Sequence, residues 1–168
     1  MRALAAVLRL GPGRTRAAHN HRVPAYRRTA EGPGDLAVDT VAWVHLEGGR
    51  ILCARPRGRD IFYVPGGKRE GAETDLEVLL REVAEELTVV LRPETVQHVG
   101  TYRAIQPAGS LGHALVRMSC YTGEYSGTLA ASSEIEELAW FGYLDRPRVP
   151  RVDQLLFDDL RTVGLLRA

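Results

Sequence analysis

The chain has 168 residues, of which 45% are hydrophobic and 26% charged, and its formal net charge is +1. This length and balance fit one globular domain with an ordinary core, and no apolar run approaches the ~20 residues that cross a bilayer. The charge gives no overall attraction to nucleic acid or anionic lipid. Two cysteines, Cys53 and Cys120, are too few for a disulfide framework, so we expect a cytoplasmic protein with free thiols.

The basic residues are unevenly distributed along the chain. Residues 1–30 contain seven arginines and no acidic residue, so the remainder is acidic, with 15 basic and 21 acidic residues. Residues 1–34 are rich in Arg, Gly and Pro without a sustained period, which predicts a flexible extension before a folded domain over 35–168. An Arg-rich, acid-free start also fits a transit peptide or an arm that binds a partner or nucleic acid.

The apolar patterns of the folded part predict strands, a central helix, further strands and a closing helix. Strands are predicted at residues 35–46, 51–55, 61–64, 96–105, 114–121 and 136–143, and helices at 74–87 and 152–166. The glycine-containing segment 47–50 predicts a hairpin turn between the first two strands, and the Pro-Gly-Gly segment 65–67 is expected to end the third. This order is typical of a mixed α/β or α+β layer protein.

Three glutamates fall on one face of the central helix. Glu82, Glu85 and Glu86 lie within about 100° of one another around the helix axis, and like charges at this spacing repel. Such a cluster favours a divalent cation site, because hard ions take oxygen ligands and Mg²⁺ readily adds substrate phosphates. The same residues are also typical of an ordinary solvated helix.

The loop before the helix favours the cation site. Gly66 and Gly67 allow the backbone to approach a ligand closely, and the Gly67 carbonyl is a candidate ligand. The basic residues in and before this loop are Arg55, Arg57, Arg59, Lys68 and Arg69. Such a cluster predicts binding of phosphate oxygens, with Arg55, Arg57, Lys68 and Arg69 as the substrate-binding candidates.

The complete pattern Gly-x5-Glu-x7-Arg-Glu-apolar-x-Glu-Glu-x-Gly-apolar resembles the Nudix box. In this chain it runs through Gly67, Glu73, Arg81, Glu82, Val83, Glu85, Glu86, Thr88 and Val89. A strand that leads into Pro-Gly-Gly and an acidic segment before an aromatic strand, residues 133–140, are also similar to the family. The resemblance extends over residues 36–167 and implies a Nudix-like α/β/α sandwich with a mixed β-sheet.

Nudix proteins hydrolyse the diphosphate linkage of a nucleoside diphosphate joined to another moiety, using Mg²⁺ or Mn²⁺. The resemblance therefore implies a metal-dependent hydrolase of a small-molecule nucleotide, with no membrane or nucleic-acid partner and with a homodimer as one assembly. The alternative is a regulatory Nudix-like domain that binds a nucleotide without cleaving it. Such domains usually lose box carboxylates, whereas all four are present here.

The resemblance also assigns roles within the box. The implied metal ligands are the carboxylates of Glu85 and Glu86, the carbonyl of Gly67 and, as ligand or catalytic base, Glu82. Arg81 would orient Glu82, and Glu73 would be a mainly structural partner near the loop.

The catalytic base of this family varies and is often an acid distant from the box. The resemblance makes Glu134 the candidate and Glu137 the second choice. A solvated acid at a strand edge is the competing interpretation of Glu134.

One position departs from the family pattern. Thr88 stands where the box has glycine, just beyond the helix, where a left-handed residue is convenient. A threonine with positive φ is strained by about 1 kcal/mol or more. We therefore expect the helix to end differently, with a shifted loop.

The sequence does not identify the substrate. None of the family sub-signatures for ADP-ribose, dinucleoside polyphosphates, coenzyme A or NADH is found outside the box. The aromatic residues that could stack on a base are Phe62, Tyr63, Tyr102 and Trp140. Packing in the core is the competing interpretation of each.

Overall fold

The computed structural model describes residues 36–107 and 113–168, so the predicted extension over residues 1–34 lies outside the described part. The strands are β1 (Leu36–Trp43), β2 (Leu46–Glu47), β3 (Arg50–Pro56), β4 (Gly66–Lys68), β5 (Val90–Leu91), β6 (Gln97–Pro107), β7 (His113–Thr122), β8 (Tyr125–Ser126) and β9 (Ile135–Phe141). The α-helices are α1 (Asp75–Leu87) and α2 (Arg151–Thr162), and 3-10 helices cover Pro93–Thr95 and Tyr143–Arg148. Neither described α-helix is long and apolar enough to span a bilayer.

A mixed four-stranded sheet in the order β4-β1-β7-β6 forms the centre of the fold. Strands β1 and β7 run parallel, whereas β4 and β6 each pair antiparallel with their neighbour. An antiparallel sheet of β2, β3 and β9 and a short β5–β8 pair complete the sheet structure. The predicted mixed α/β fold is confirmed.

Successive residues of β1 are buried on opposite faces of the sheet. Val41 and Trp43 pack in the cluster that contains the apolar face of α1, whereas Ala42 and Val44 pack in the cluster that contains α2. All four side chains are at most 2% exposed. Because side chains alternate across a strand, each face of this strand requires its own cover, and a helix packs on each. The result is the α/β/α sandwich.

Helix α1 begins where the sequence predicts. Thr74 is its N-cap: the Thr74 hydroxyl accepts a hydrogen bond from the Glu77 N–H, and the Glu77 carboxylate accepts one from the Thr74 N–H. This reciprocal capping box satisfies two backbone donors. The apolar stripe Val78, Leu79, Val83 and Leu87 is fully buried, and Glu82 and Glu86 lie at its border, next to strand β4.

The predicted strand over residues 61–64 is wrong. Only Tyr63 forms a single bridge, with Ala54, because the backbone N–H groups donate to different partners: that of Phe62 to the Arg148 carbonyl and that of Val64 to the Asp153 carboxylate. The Pro-Gly-Gly segment was expected to be a turn that ends this strand. Its glycines instead begin β4, which pairs with β1.

Both ends of the fold differ slightly from the predicted ranges. The predicted strand over 35–46 ends at Trp43, and Leu46 pairs with Ile51 in the other sheet. The closing helix ends at Thr162 rather than at residue 166, because Gly164 takes a positive φ of 75°. The backbone of Leu166 then turns back to the Leu160 carbonyl.

Both cysteines are free and buried, as predicted. Burial raises the pKa of the Cys53 and Cys120 thiols well above the ordinary value. Such thiols are poor nucleophiles, so neither is part of the candidate chemistry.

The expectation that the box helix ends differently at Thr88 is wrong. Thr88 takes the left-handed conformation, with φ 60° and ψ 20°, and its N–H donates to the Ala84 carbonyl. Its hydroxyl donates to the carbonyl of Thr128 at 3.0 Å. A tertiary hydrogen bond thus offsets part of the strain that a glycine would avoid.

Substitutions at Thr88 should separate the backbone strain from the hydrogen bond. Thr88→Gly and Thr88→Val both remove the hydroxyl donor, but only valine keeps a side chain in the left-handed region. We expect the glycine variant to have the larger free energy of unfolding by about 1–2 kcal/mol, measured by urea denaturation. Equal stability of the two variants would contradict a left-handed residue at this position.

Candidate active site

A cleft of about 860 Å³ opens where strand β4, helix α1 and the turn before β9 meet. Its polar lining near α1 includes Gly67, Lys68, Arg81, Glu82, Glu85, Glu86 and Glu134. The sheet register places Gly67 opposite Val41 of β1, so this end of the cleft lies at the open edge of the main sheet. Edge backbone groups remain available there to a ligand.

The carboxylate of Glu86 is the most buried acid of the box. Its side chain accepts the Gly66 N–H at 2.9 Å, and the residue is only 7% exposed. Burial is the main cause that raises the pKa of Glu86 to about 8; the nearby carboxylates of Glu82, Glu134 and Glu85 contribute to the rise, and the Gly66 hydrogen bond opposes it. Among the described residues, several acidic groups therefore lie around Glu86, and no cationic side chain forms an ion pair with it.

Arg81 links two other carboxylates of the box. Its guanidinium donates to both oxygens of Glu73 at 2.8 Å and to Glu82 Oε1 at 2.8 Å. Hydrogen bonding to Arg81 lowers the pKa of Glu73 to about 2. Burial raises the pKa of Glu82, and Arg81 partly opposes this effect. Arg81 therefore fixes the orientation of Glu82, while Glu73 fixes that of Arg81.

Gly67 has no room for a side chain. A Cβ built at this residue would lie 1.9 Å from Glu82 Oε1, so the backbone of β4 and the carboxylate of α1 approach each other directly. Gly66 has a φ of 141°, and a Cβ there would meet the Val41 carbonyl oxygen at 2.1 Å. Gly66 is required by its positive φ and by the backbone of β1, whereas a side chain at Gly67 would displace the Glu82 carboxylate; the sequence indicated this close approach only in general terms.

Glu134 comes to this cleft from a distant part of the sequence. The Ala130 N–H donates to the Leu87 carbonyl and the Ser132 N–H to the Glu86 carbonyl, so the segment before β9 caps the end of α1. Glu134 then follows directly and raises the pKa values of both Glu82 and Glu86. Its own carboxylate has no hydrogen bond or ion pair within residues 36–107 and 113–168.

The donor atoms near α1 are all oxygens: carboxylates and backbone carbonyls. This chemistry fits a hard divalent ion such as Mg²⁺ or Mn²⁺. In the described part of the chain, no three acidic, His or Cys side chains are already arranged to hold an ion together. Glu82 is instead engaged by Arg81, and Glu86 by the Gly66 N–H.

The basic residues that the sequence proposed for substrate binding do not all meet the cleft. Arg55 is held by Glu136 and Glu137 on β9, and Arg69 by Asp39 and Asp75, and neither lines the cleft. Glu137, the second choice of catalytic base, is therefore paired with Arg55.

Among the remaining basic residues, Lys68 lines the cleft and Arg57 does not. The guanidinium of Arg57 lies near the Ser133 carbonyl. Arg59, which was not among the substrate-binding candidates, also lines the cleft. Neither Arg59 nor Lys68 has an ion pair with any described carboxylate, so both are free to meet an anion.

The far part of the cleft contains residues that the sequence analysis missed. Asp153, in the first turn of α2, accepts the Val64 N–H at 2.9 Å and is 2% exposed. Burial raises the pKa of Asp153 to about 7. Gln106 of β6 also lines this part. No local motif marks either residue, because each acts through a partner far away in the sequence.

Of the four aromatic candidates for base stacking, only Tyr63 lines the cleft. Phe62 is buried in the core at 2% exposure. Tyr102 and Trp140 are partly buried against the two core clusters.

Comparison with known proteins identifies the class. A family model described as NUDIX domain matches residues 35–155, and the chain therefore belongs to the Nudix family. Membership supports a pyrophosphohydrolase activity in general. No curated protein sequence matches the chain.

Solved structures share the fold. The Escherichia coli ORF135 protein is 25% identical, with a TM-score of 0.60 over 79% of this chain and 98% of that one. A MutT Nudix hydrolase from Burkholderia pseudomallei is 20% identical, with a TM-score of 0.61 over 74% of this chain and 98% of that one. A bifunctional NMN adenylyltransferase/ADP-ribose pyrophosphatase from Francisella tularensis, solved with AMP and a Mn ion, is 19% identical, with a TM-score of 0.56 over 79% of this chain and 44% of that one.

The buried carboxyl of Asp153 predicts a specific pH dependence of stability. Its pKa is about 7 in the folded chain, against an ordinary value of 3.8. Between these two pH values the folded state binds more protons than the unfolded state, so this group makes stability fall as pH rises. Asp153→Asn keeps an oxygen acceptor for the Val64 N–H and stays neutral.

As pH rises from 5 to 7, we expect the wild type to lose about 1 kcal/mol of unfolding free energy per pH unit relative to Asp153→Asn. Urea denaturation at a series of pH values measures it. Asp60→Asn, at an exposed position, controls for the loss of a carboxylate. A difference that moves the other way with pH would refute the raised pKa.

Proposed function

We propose that this protein is a divalent-cation-dependent hydrolase that cleaves the diphosphate linkage of a nucleoside diphosphate joined to another moiety. The observation that carries the proposal is the convergence of Glu82, Glu85, Glu86 and Glu134 on one cleft beside the Gly67 backbone. Such a concentration of acids is costly without a cation, since like charges and burial both oppose ionisation. The presence of all four box carboxylates favours catalysis over a regulatory domain that only binds a nucleotide.

The chain's oxygen donors support a Mg²⁺ or Mn²⁺ site. We assign the ligands to the carboxylates of Glu85 and Glu86 and the carbonyl of Gly67, with Glu82 as a further ligand. A bound divalent ion neutralises phosphate charge and lowers the pKa of an attacking water. The role of Arg81 is to orient Glu82, and that of Glu73 is to hold Arg81 through two hydrogen bonds.

Glu134 is our candidate for the general base. Its carboxylate lines the same cleft as Glu86 and has no partner among the described residues, whereas Glu82 is bound to Arg81 and Glu137 to Arg55. A base must be able to reach the water that it deprotonates. The free carboxylate on a turn meets this requirement best.

Arg59 and Lys68 are the cations that we propose for the substrate phosphates. Both line the cleft and neither forms an ion pair with a carboxylate of residues 36–107 or 113–168. Charge-assisted hydrogen bonds to phosphate oxygens are stronger than neutral ones.

The two buried free thiols agree with the cytoplasmic location that we also propose.

Replacing the Glu86 carboxylate by an amide should strongly reduce metal-dependent hydrolysis while preserving the fold. Glu86→Gln keeps an oxygen for the Gly66 N–H and relieves the burial of a charge, so the free energy of unfolding should stay equal or rise. We expect turnover to fall by about 10²–10³-fold. Phosphate release from a panel of nucleotides with Mg²⁺ or Mn²⁺ measures it, and chelation by EDTA should abolish the wild-type activity reversibly.

The matched control for Glu86→Gln is Glu94→Gln, at an exposed glutamate outside the cleft lining, which should retain full activity. Unchanged turnover by Glu86→Gln would refute the assignment of the site. Binding of nucleotides by the wild type without any turnover would favour the regulatory alternative instead.

The positions of two neighbouring arginines allow a test of phosphate binding. Arg59 lines the cleft and Arg57 does not, although both belong to the same turn. We expect Arg59→Met to raise KM about 10- to 100-fold, the cost of one hydrogen bond between charged groups, and Arg57→Met to leave KM unchanged. Initial rates over a substrate series measure both, and a larger effect at Arg57 would overturn the assignment.

A further inference from the structure

The cleft continues from the carboxylates across the full width of the main sheet. From the edge inward, the lining comprises Gly67 of β4, Val38 and Thr40 of β1, Val116 and Met118 of β7, and Gln106 of β6. These strands are neighbours in the order β4-β1-β7-β6. Gln106 lies three strand spacings from Gly67 across the sheet, about 14 Å, and its pairing register is five residues further along the strands, about 17 Å, so the two backbones are about 22 Å apart. After the reach of the Gln106 side chain and of a cation at the Gly67 carbonyl, this span leaves room for a nucleoside diphosphate extended from its phosphates to its base.

The lining changes character along this span. Near β4 it is charged, whereas over β1 and β7 it is formed by the apolar side chains of Val38, Val116 and Met118. Tyr63, which is 39% exposed, lines the same cleft. An apolar floor with an accessible aromatic ring suits a flat heterocycle. The geometry places a base at the β6 side when the phosphates lie at the β4 side.

Gln106 supplies an oriented polar group at the β6 side. Its Oε1 accepts the Val152 N–H, from the first turn of α2, at 3.3 Å. An N–H group can donate only to the oxygen of the Gln106 amide, so this contact fixes the positions of Oε1 and Nε2. The N–H donors of Gln106 Nε2 have no acceptor in the described part of the chain. Nε2 is also not one of the buried polar atoms that lack a hydrogen-bond partner there. These N–H donors are therefore available to a ligand in the cleft.

We propose that Gln106 is a specificity-determining residue that selects a nucleobase with a carbonyl oxygen on its outer edge, as guanine and uracil have, over adenine and cytosine. The inference rests on the proposed function, since it places the nucleoside part of the same substrate. The two amide N–H groups donate to that oxygen. Adenine and cytosine carry an amino group at the corresponding position, so donor would face donor.

The expected preference between bases can be calculated from the cost of leaving the Gln106 N–H donors unpaired. A buried donor that loses its partner costs about 1–3 kcal/mol, which corresponds to about 10- to 100-fold in binding. Selection by a group built for hydrogen bonding is stronger than selection by apolar shape alone. We therefore expect this range between bases that differ in the carbonyl and amino groups.

Binding and turnover are measured on matched pairs that differ in the base. Calorimetry with Mg²⁺ compares GDP with ADP and UDP with CDP, and phosphate release compares GTP with ATP and UTP with CTP. The wild type should prefer the carbonyl-bearing member of each pair by about 10- to 100-fold.

Three variants test whether Gln106 causes the preference. Gln106→Glu keeps an oxygen for the Val152 N–H but replaces the donors by an acceptor, so the preference should invert towards the amino-bearing bases. Gln106→Met has similar length and no donor, so the preference should fall to near unity. Gln97→Glu, at an exposed position on the same strand, is the matched control and should retain the wild-type preference.

The outcomes separate this inference from the proposed function. Turnover by the wild type with no base preference, or with a preference that Gln106→Glu leaves unchanged, overturns the inference and leaves the hydrolase proposal standing. If the wild type binds nucleotides base-selectively, Gln106→Glu inverts the preference and no turnover occurs, the inference is supported and the hydrolase proposal is overturned. Absence of both nucleotide binding and turnover overturns both.

Discussion

The hydrogen bond between the Gly66 N–H and the Glu86 carboxylate connects the elements on which the site depends. It joins helix α1 to the edge strand β4, and the Glu86 carbonyl accepts the Ser132 N–H from the segment that precedes Glu134. One residue therefore positions the helix against the sheet edge and against the turn that carries the candidate base. The arrangement buries an acid among acids, which raises the pKa of Glu86 to about 8. A fold that keeps such an unfavourable group places function above local stability.

The pairing of charges separates structural arginines from those that can meet a substrate. Arg81 is bound on both sides by box carboxylates, and Arg55 and Arg69 are each held by two acids. These guanidiniums are already neutralised and hold the loops around the cleft in place. Arg59 and Lys68 line the cleft and have no ion pair in the described part of the chain. The distribution of partners, rather than the number of basic residues, decides which cationic side chains at the cleft are free to meet an anion.

Local rules gave wrong expectations where a tertiary contact supplies compensation. Thr88 takes the left-handed conformation that favours glycine because the segment beside it offers the Thr128 carbonyl to its hydroxyl. Residues 61–64 have the composition of a strand, yet their N–H groups find separate partners, among them the buried carboxylate of Asp153. In both cases the local preference is worth about 1 kcal/mol, which one hydrogen bond can offset.

The sequence by itself determined helix α1 and the single face that carries Glu82, Glu85 and Glu86, because these depend on spacings within one helix. It also identified the family and the need for glycine before the helix. Only the tertiary structure decided that Glu134 meets the box, that Asp153 accepts the Val64 N–H and that Gln106 accepts the Val152 N–H. The latter two contacts join residues 89 and 46 positions apart, and pairings of such separation are set by how strands and helices pack.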